Sequence, residues 1–132
     1  ESASDPEFMT QMRESASAAG YRVALGQAQR NLEVISDAGL PIAFGTDAGP
    51  AARFPGYFEH LELQLMVDAG LTPEQALRSA TGVAAECVGL DDVGTLEAGN
   101  WADFLVLGAD PLQGIQATRQ LERVFVGGSE VP

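Results

Sequence analysis

The sequence predicts an α/β fold in which helices and one buried strand come first and a small β-rich region comes last. Helical periodicity dominates the first third of the chain, because apolar residues recur at intervals of three and four positions. The apolar run LPIAFG at 40–45 has no polar alternation, which is typical of a strand buried on both faces. Strand-like runs return at 101–107 and 121–126.

The first helical region extends from Pro6 to Ala38, and we predict two helices that are separated near Gly20. Asp5, followed by a proline and a glutamate, is typical of a helix N-cap. The second helix is predicted to run from about Tyr21 to Asp37 and to close at Gly39.

Three further helices are predicted in the middle of the chain. The stretch 57–69 combines strand-like alternation with strong helix formers, and we favour a helix. Thr72, followed by a proline, is typical of an N-cap, and Gln75 can complete a capping box. Thr81 is a candidate cap for another helix, which is predicted to end at Gly89.

The composition excludes several classes of protein. Apolar residues make up 45% of the chain and charged residues 20%, so the chain can build a core. Nineteen acidic residues against seven basic ones give a net charge of -12, which argues against a nucleic-acid partner. All seven basic residues are arginines, so catalysis through a lysine Schiff base is excluded. The single cysteine, Cys87, excludes an internal disulfide and is predicted to pack in the core among apolar neighbours.

Asp47 is the first candidate for chemistry, since it lies two residues beyond the predicted strand at 40–45. In parallel α/β sheets and barrels, the loops at the carboxyl ends of the strands form the active face. A carboxylate there can ligate a metal or accept a proton from a metal-bound water. The alternative is a local role, in which Asp47 caps the turn that follows it.

His60 and Arg53 are the other candidates. His60 can face the same pocket as Asp47, or it can bond a local carbonyl. Arg53 lies in a glycine- and proline-containing loop, where it can bind a substrate carboxylate or remain a solvated charge. Glu59 and Glu62 flank His60, and we interpret them as solvated acids on a helix face.

Five segments occur in an order and at a spacing that resemble the C-terminal portion of the amidohydrolase superfamily. They are IAFGTDAG at 42–49, HLEL at 60–63, AGLTPEQALRSAT at 69–81, GTLEAGNWADFLVL at 94–107 and DPL at 110–112. The match extends from about Asn31 to Gly128. Within the superfamily, the chain is most similar to the branch of imidazolonepropionase-like and Xaa-Pro dipeptidase-like proteins.

The resemblance implies a C-terminal fragment of a (β/α)8 barrel, consisting of the last strand and its flanking helices, plus strands of a small composite β-sandwich. Residues 1–90 would belong to the barrel and residues 91–132 to the sandwich, with 40–45 as the eighth barrel strand. A (β/α)8 barrel needs about 250 residues, so we expect this chain to be part of something larger.

The resemblance also implies a metal-dependent hydrolase that acts on C–N bonds in amides, cyclic amides or dipeptide-like substrates. Asp47 would ligate the metal and orient or deprotonate the attacking water. His60 matches a histidine that is frequent in this branch, where it would contact the substrate or serve a structural role. Arg53 remains a candidate substrate contact from its loop position alone. The metal would be a divalent ion, most simply zinc, in the intact enzyme. The remaining ligands of this family lie upstream of the matching part, so we expect no catalytic metal in the isolated chain.

The expected partners are a small-molecule substrate and further copies of the same chain, with neither nucleic acid nor a membrane. Of the possible compartments the cytoplasm is favoured, although the sequence does not identify the compartment of the parent protein. The competing hypothesis is a catalytically inactive α/β fragment that self-associates or completes a barrel with a partner chain.

Overall fold

The computed structural model of the chain describes residues 5–49 and 54–132. Helices precede strands along the chain, as the sequence predicts. No helix in these two ranges is both long and apolar enough to cross a bilayer. The elements are α1 (Pro6–Glu14), α2 (Ala16–Asp37), α3 (Phe58–Asp68), α4 (Pro73–Ala80), α5 (Gly82–Cys87), β1 (Phe104–Leu107), a 3-10 helix (Ile115–Arg119), β2 (Leu121–Val126) and β3 (Ser129–Val131).

The break between the first two helices lies at Ser15, so the predicted break near Gly20 is wrong. Ser15 has an extended backbone, and its side chain accepts a hydrogen bond from the amide of Ala18 at 3.1 Å. That bond satisfies one of the free amides at the start of α2. Gly20 lies inside α2, where a glycine costs about 1 kcal/mol relative to alanine without ending the helix. The predicted end at Gly39 is confirmed. Gly39 has a φ of 70°, and its backbone amide donates a hydrogen bond to the carbonyl of Ser36.

Helices α3 and α4 form where the sequence predicts them. The capping box of α4 is complete: the Thr72 hydroxyl accepts from the Gln75 amide at 3.1 Å, and the Gln75 side chain accepts from the Thr72 amide at 2.7 Å. Thr81 precedes α5 as predicted, but its hydroxyl makes no cap bond. It donates instead to the carbonyl of Leu77 at 2.9 Å, one turn back in α4.

The core lies where α3, α4 and the 3-10 helix meet. Its buried side chains come from all three regions of the chain: Leu63, Met66, Leu71, Ala76 and Ile115. Ile42 and Phe44, from the segment before the Asp47 loop, pack against this cluster and are partly buried. The packing therefore joins the helical region to the residues that follow β1 and fixes the segment that leads to Asp47.

The segment 40–45 has no regular secondary structure, so it does not form the predicted strand. Within the described part of the chain no strand pairs with it, and it is held by α4 instead. The Ser79 hydroxyl donates to the carbonyl of Ile42 at 2.6 Å, and the amide of Phe44 donates to the carbonyl of Ser79 at 3.1 Å. Alternate residues are exposed, so the expected burial on both faces is also wrong. A strand buried on two faces needs neighbours on each side, and these residues have a helix end on one side.

The strands that the structure describes form one three-stranded antiparallel sheet in the order β1-β2-β3. The rings of Phe104 and Phe125, which face each other across β1 and β2, stack with their centroids 4.4 Å apart. Gly127 and Gly128 join β2 to β3 with positive φ angles of 57° and 77°. Both angles suit the two-residue turn of a tight hairpin. The first two strands were predicted, and β3 was not.

Trp101 and Cys87 both lie outside the core. The indole of Trp101 donates to the Asp92 carboxylate at 2.9 Å, and its ring lies beside Gly127 in the turn between β2 and β3. Cys87 is exposed, so the prediction that it packs in the core is wrong. Of the small residues in α5, Ala85 is the buried one, and Cys87 lies at the end of the helix two positions further on. A two-residue step turns a side chain away from the buried face of a helix.

Candidate functional site

Asp47 lies two residues beyond the segment 40–45, which forms no strand in the structure. Its backbone has a φ of 50°, and it is the non-glycine residue with a positive φ in residues 5–49 and 54–132. This left-handed conformation is sparsely populated, although aspartate tolerates it better than most residues. Asp47 is exposed to solvent. Such strained positions cluster at functional sites.

Glu59 ties together the two ends of the loop that contains Asp47. One carboxylate oxygen accepts from the Thr46 hydroxyl at 3.3 Å, and the other accepts from the amide of Gly56 at 2.6 Å. Thr46 in turn accepts from the amide of Ala48 at 3.2 Å. The residues on both sides of Asp47 are therefore anchored, directly or through Thr46, to the first turn of α3.

The hydrogen bonds around Glu59 favour its charged form. A bond from its own backbone amide lowers the pKa of Glu59 most, and the Gly56 amide, the Thr46 hydroxyl and the charge of His60 lower it further, while desolvation opposes them. The sequence interpretation of Glu59 as a solvated acid missed this role. Its signal was available, since an acid in the first turn of a helix commonly accepts from nearby amides.

His60 lies on α3 next to Glu59 and is half-buried. Its Nδ1 lies 3.0 Å from the hydroxyl of Thr118, a buried residue of the 3-10 helix. The sequence offered a local carbonyl as an alternative partner for His60. In the structure the partner of its Nδ1 is a side chain 58 positions further along the chain. Sequence reasoning missed Thr118, because no spacing rule joins residues this far apart.

A hydrogen bond joins the two chain segments that carry the strongest candidates, Asp47 and His60. Thr46 bonds Glu59, and Asp47 and His60 are the next residues after these two.

Burial raises the pKa of Glu62, which lies two positions beyond His60 on α3. Arg53, the third predicted site residue, lies outside the described residues, and its predicted contact with the substrate stays a prediction.

The described residues do not fit a complete metal site. In the ranges 5–49 and 54–132, no group of three or more His, Cys, Asp and Glu side chains is arranged to hold a metal ion. A catalytic zinc takes about three protein ligands and a water. A single carboxylate such as that of Asp47 is fewer ligands than such a site needs.

Comparison with known proteins decides the family. The sequence profile of the Amidohydrolase family matches residues 6–131 of this chain. The chain belongs to the amidohydrolase family. The family resemblance carried by the segments from IAFGTDAG to DPL is thereby confirmed.

Three proteins with different named activities are similar to this chain. An imidazolonepropionase from Deinococcus deserti is 46% identical over 72 residues, which are 54% of this chain and 18% of the relative. A 5-methylthioadenosine/S-adenosylhomocysteine deaminase from Bacillus cereus is 31% identical over 90 residues, covering 63% of this chain and 21% of that protein. The crystal structure of a Xaa-Pro dipeptidase superposes with a TM-score of 0.73 at 28% identity, over 80% of this chain and 26% of that one.

These relatives bear out the predicted branch of the amidohydrolase family. They also show that this chain spans about a fifth to a quarter of the length of the amidohydrolases it matches. The helices followed by a small antiparallel sheet are part of the amidohydrolase fold.

Proposed function

We propose that this chain supplies the catalytic carboxylate of a hydrolase that cleaves a C–N bond in a small amide, cyclic amide or dipeptide-like substrate. The observation that carries the proposal is the position of Asp47. It is an exposed aspartate in a left-handed conformation at the end of the segment 40–45, in a chain of the amidohydrolase family. The names of the relatives, an imidazolonepropionase, a deaminase and a dipeptidase, support C–N bonds as the target.

Asp47 acts on protons in this reaction. Water adds to the carbon of the C–N group, and the Asp47 carboxylate takes one proton from that water. As the C–N bond breaks, the proton passes from Asp47 to the leaving nitrogen, so the carboxylate is regenerated. A positioned general base contributes about 10²–10⁴-fold to the rate.

Glu59 and Thr46 keep the Asp47 loop in place during these proton transfers. Their bond fixes the residue before Asp47, and the bond from Gly56 to Glu59 fixes the far end of the loop. His60 and Arg53 are proposed to contact the substrate, and the Nδ1 of His60 lies within hydrogen-bond distance of the Thr118 hydroxyl.

A divalent metal, most simply zinc, is proposed for the intact enzyme, where it would lower the pKa of the attacking water towards about 7. Because the described residues do not form a metal site, a metal bound by Asp47 would need further ligands from residues outside this sequence. We therefore propose that the sequence is the C-terminal portion of a longer hydrolase. Residues 1–90 would complete a (β/α)8 barrel and residues 91–132 would contribute strands to a composite β-sandwich.

A second candidate function is a non-catalytic subunit that self-associates or completes a barrel with a partner chain. The observation in its favour is exposed apolar surface, since the side chains of Tyr21, Val23 and Val34 on α2 are 77%, 72% and 67% exposed. Both candidates predict that the isolated chain lacks a complete metal site. They differ in whether a larger assembly that contains it hydrolyses C–N bonds.

Elemental analysis combined with an activity assay tests the proposal. We expect less than stoichiometric zinc on the isolated chain after dialysis against a weak chelator. We expect stoichiometric metal and hydrolysis of dipeptides or cyclic amides in the longest natural polypeptide that contains this sequence. In that protein, Asp47→Asn should lower kcat by about 10²–10⁴-fold, whereas Asp91→Asn, which changes another exposed loop aspartate, should not.

Each half of the proposal has its own contrary result. One equivalent of zinc retained by the isolated chain and lost in Asp47→Asn would show that this chain holds a metal without further ligands. Near-normal kcat in the Asp47→Asn variant of the longer protein would remove Asp47 from the reaction. A metal-free, inactive longer protein would favour the non-catalytic subunit.

A further inference from the structure

The contact between His60 and Thr118 determines which nitrogen of the imidazole carries the proton. The two side chains meet at the junction of α3 with the 3-10 helix, where Nδ1 of His60 lies 3.0 Å from Oγ1 of Thr118. Thr118 is buried, with 7% of its surface exposed. In a neutral imidazole one nitrogen donates and the other accepts, so the roles of the two partners in this contact fix the tautomer.

The Thr118 hydroxyl has a second partner that settles these roles. Its Oγ1 lies 2.8 Å from the carbonyl oxygen of Ile115, which can only accept. This distance is typical of an O–H···O hydrogen bond. If the single hydroxyl proton pointed at His60 instead, two oxygens would face each other at 2.8 Å with no proton between them. The hydroxyl therefore donates to Ile115, and it has only lone pairs to offer to His60.

We propose that Thr118 is a positioning residue that holds His60 in the Nδ1–H tautomer and leaves the lone pair on Nε2. The 3.0 Å separation fits an N–H···O hydrogen bond from Nδ1 to the hydroxyl. His60 then presents an acceptor, suited to an N–H or O–H group of a ligand. This deepens the proposed function, because an amide or dipeptide-like substrate carries such N–H groups.

The position of His60 and Thr118 explains why the tautomer of His60 matters for the candidate site around Asp47. His60 follows Glu59, whose carboxylate holds both ends of the Asp47 loop. Thr118 follows β1 in the chain, in a helix whose Ile115 belongs to the core. The C-terminal region thus sets the hydrogen-bonding character of a histidine that lies beside the loop of the proposed catalytic carboxylate.

Nitrogen NMR on the isolated chain tests this inference without any activity measurement. The chain contains a single histidine, so long-range ¹⁵N–¹H correlations of the imidazole ring belong to His60 alone. At about pH 9, where an imidazole is neutral, we expect Nδ1 to be the protonated nitrogen and Nε2 the unprotonated one. The Nδ1–H tautomer should exceed the other by roughly tenfold. A spectrum in which Nε2 carries the proton would overturn the proposal.

Three variants separate positioning from a general structural effect. Thr118→Val keeps the shape but removes the acceptor, so the Nδ1–H excess should fall by roughly tenfold. Thr118→Ser keeps the hydroxyl and should retain the wild-type tautomer. Thr81→Val is the matched control, because its hydroxyl also donates to a carbonyl one turn back, that of Leu77, and its bond does not involve the imidazole.

The outcomes remain decisive if the valine variant does not fold. In that case the wild-type spectrum and the serine variant still report the tautomer and its dependence on the hydroxyl. An unchanged tautomer ratio in a folded Thr118→Val protein would exclude Thr118 as the positioning residue. Loss of hydrolysis in the longer protein, with the tautomer intact, would count against the proposed function and leave the Thr118 assignment standing.

Discussion

At the scale of single residues, the candidate site is held together by side chains that lie next to the proposed chemical groups. Asp47 and His60 were both identified from the sequence, because one follows an apolar run and the other is the single histidine. Glu59 and Thr118 contact their neighbours through bonds that depend on the folded chain. The sequence thus predicts the candidates for chemistry, and the structure adds the residues that fix them.

Replacing Glu59 should make the stability of the chain less dependent on acid pH. The pKa of Glu59 lies below its ordinary value near 4.5, because its charged form accepts bonds from backbone amides and Thr46. The stabilisation by Glu59 is therefore complete above about pH 4.5 and is lost as the pH falls through the lower pKa of the folded state. Urea unfolding of wild type and Glu59→Gln at neutral and acid pH measures the difference between them.

The wild type should be the more stable protein at neutral pH, and its advantage should shrink below about pH 4.5. Thr46→Val removes one of the bonding partners and should reproduce part of the change. An advantage of the wild type that stays constant between neutral pH and pH 3 would contradict the lowered pKa of Glu59.

At the scale of the elements, local chemistry was predictable and remote pairing was not. The capping box of Thr72 and Gln75 depends on neighbours within four positions, and the structure has it as predicted. The strand at 40–45 requires partners from elsewhere in the chain, and α4 takes their place. The helix start at Ser15 was missed because Gly20 is the stronger helix breaker on propensity alone.

The two threonines that precede α4 and α5 should respond differently to alanine. Thr72→Ala removes a cap bond and should lower the free energy of unfolding by about 1 kcal/mol. Thr81 makes no cap bond, so Thr81→Ala should cost about 0.5 kcal/mol or less. Chemical denaturation of both variants under one set of conditions gives the comparison. Equal losses would mean that the hydroxyl of Thr81 stabilises its helix as much as the cap of α4 does.

At the scale of the whole molecule, α2 stands out because none of its residues, all of which the structure describes, is buried. It nevertheless carries large apolar side chains that are between 40% and 77% exposed: Tyr21, Val23, Leu25, Val34 and Ile35. Exposed apolar surface of this kind is typical of an interface. The oligomer predicted from the sequence remains a proposal, and α2 is its proposed contact surface.

The isolated chain should form particles larger than its own mass of 13.8 kDa. Association buries exposed apolar side chains of α2, so light scattering should show a mass that rises with protein concentration. Val34→Glu, which replaces one of these side chains by a charge, should lower the mass at a given concentration, while Gln29→Glu serves as a charge-matched control. A reductant is needed, because Cys87 is exposed and can link two copies. A compact particle of 13.8 kDa at high concentration would contradict the prediction.

Because Trp101 contacts the turn at Gly127, its fluorescence can show whether the C-terminal sheet unfolds together with the helices. Trp101 is the single tryptophan, so intrinsic fluorescence monitors the region after residue 90, whereas far-ultraviolet circular dichroism monitors mainly α1 to α5. Ile115 of the later region is 2% exposed within the core of the earlier one, so we expect both signals to change at the same urea concentration. A fluorescence midpoint well below that of the helices would mean that the proposed sandwich strands melt as an independent unit.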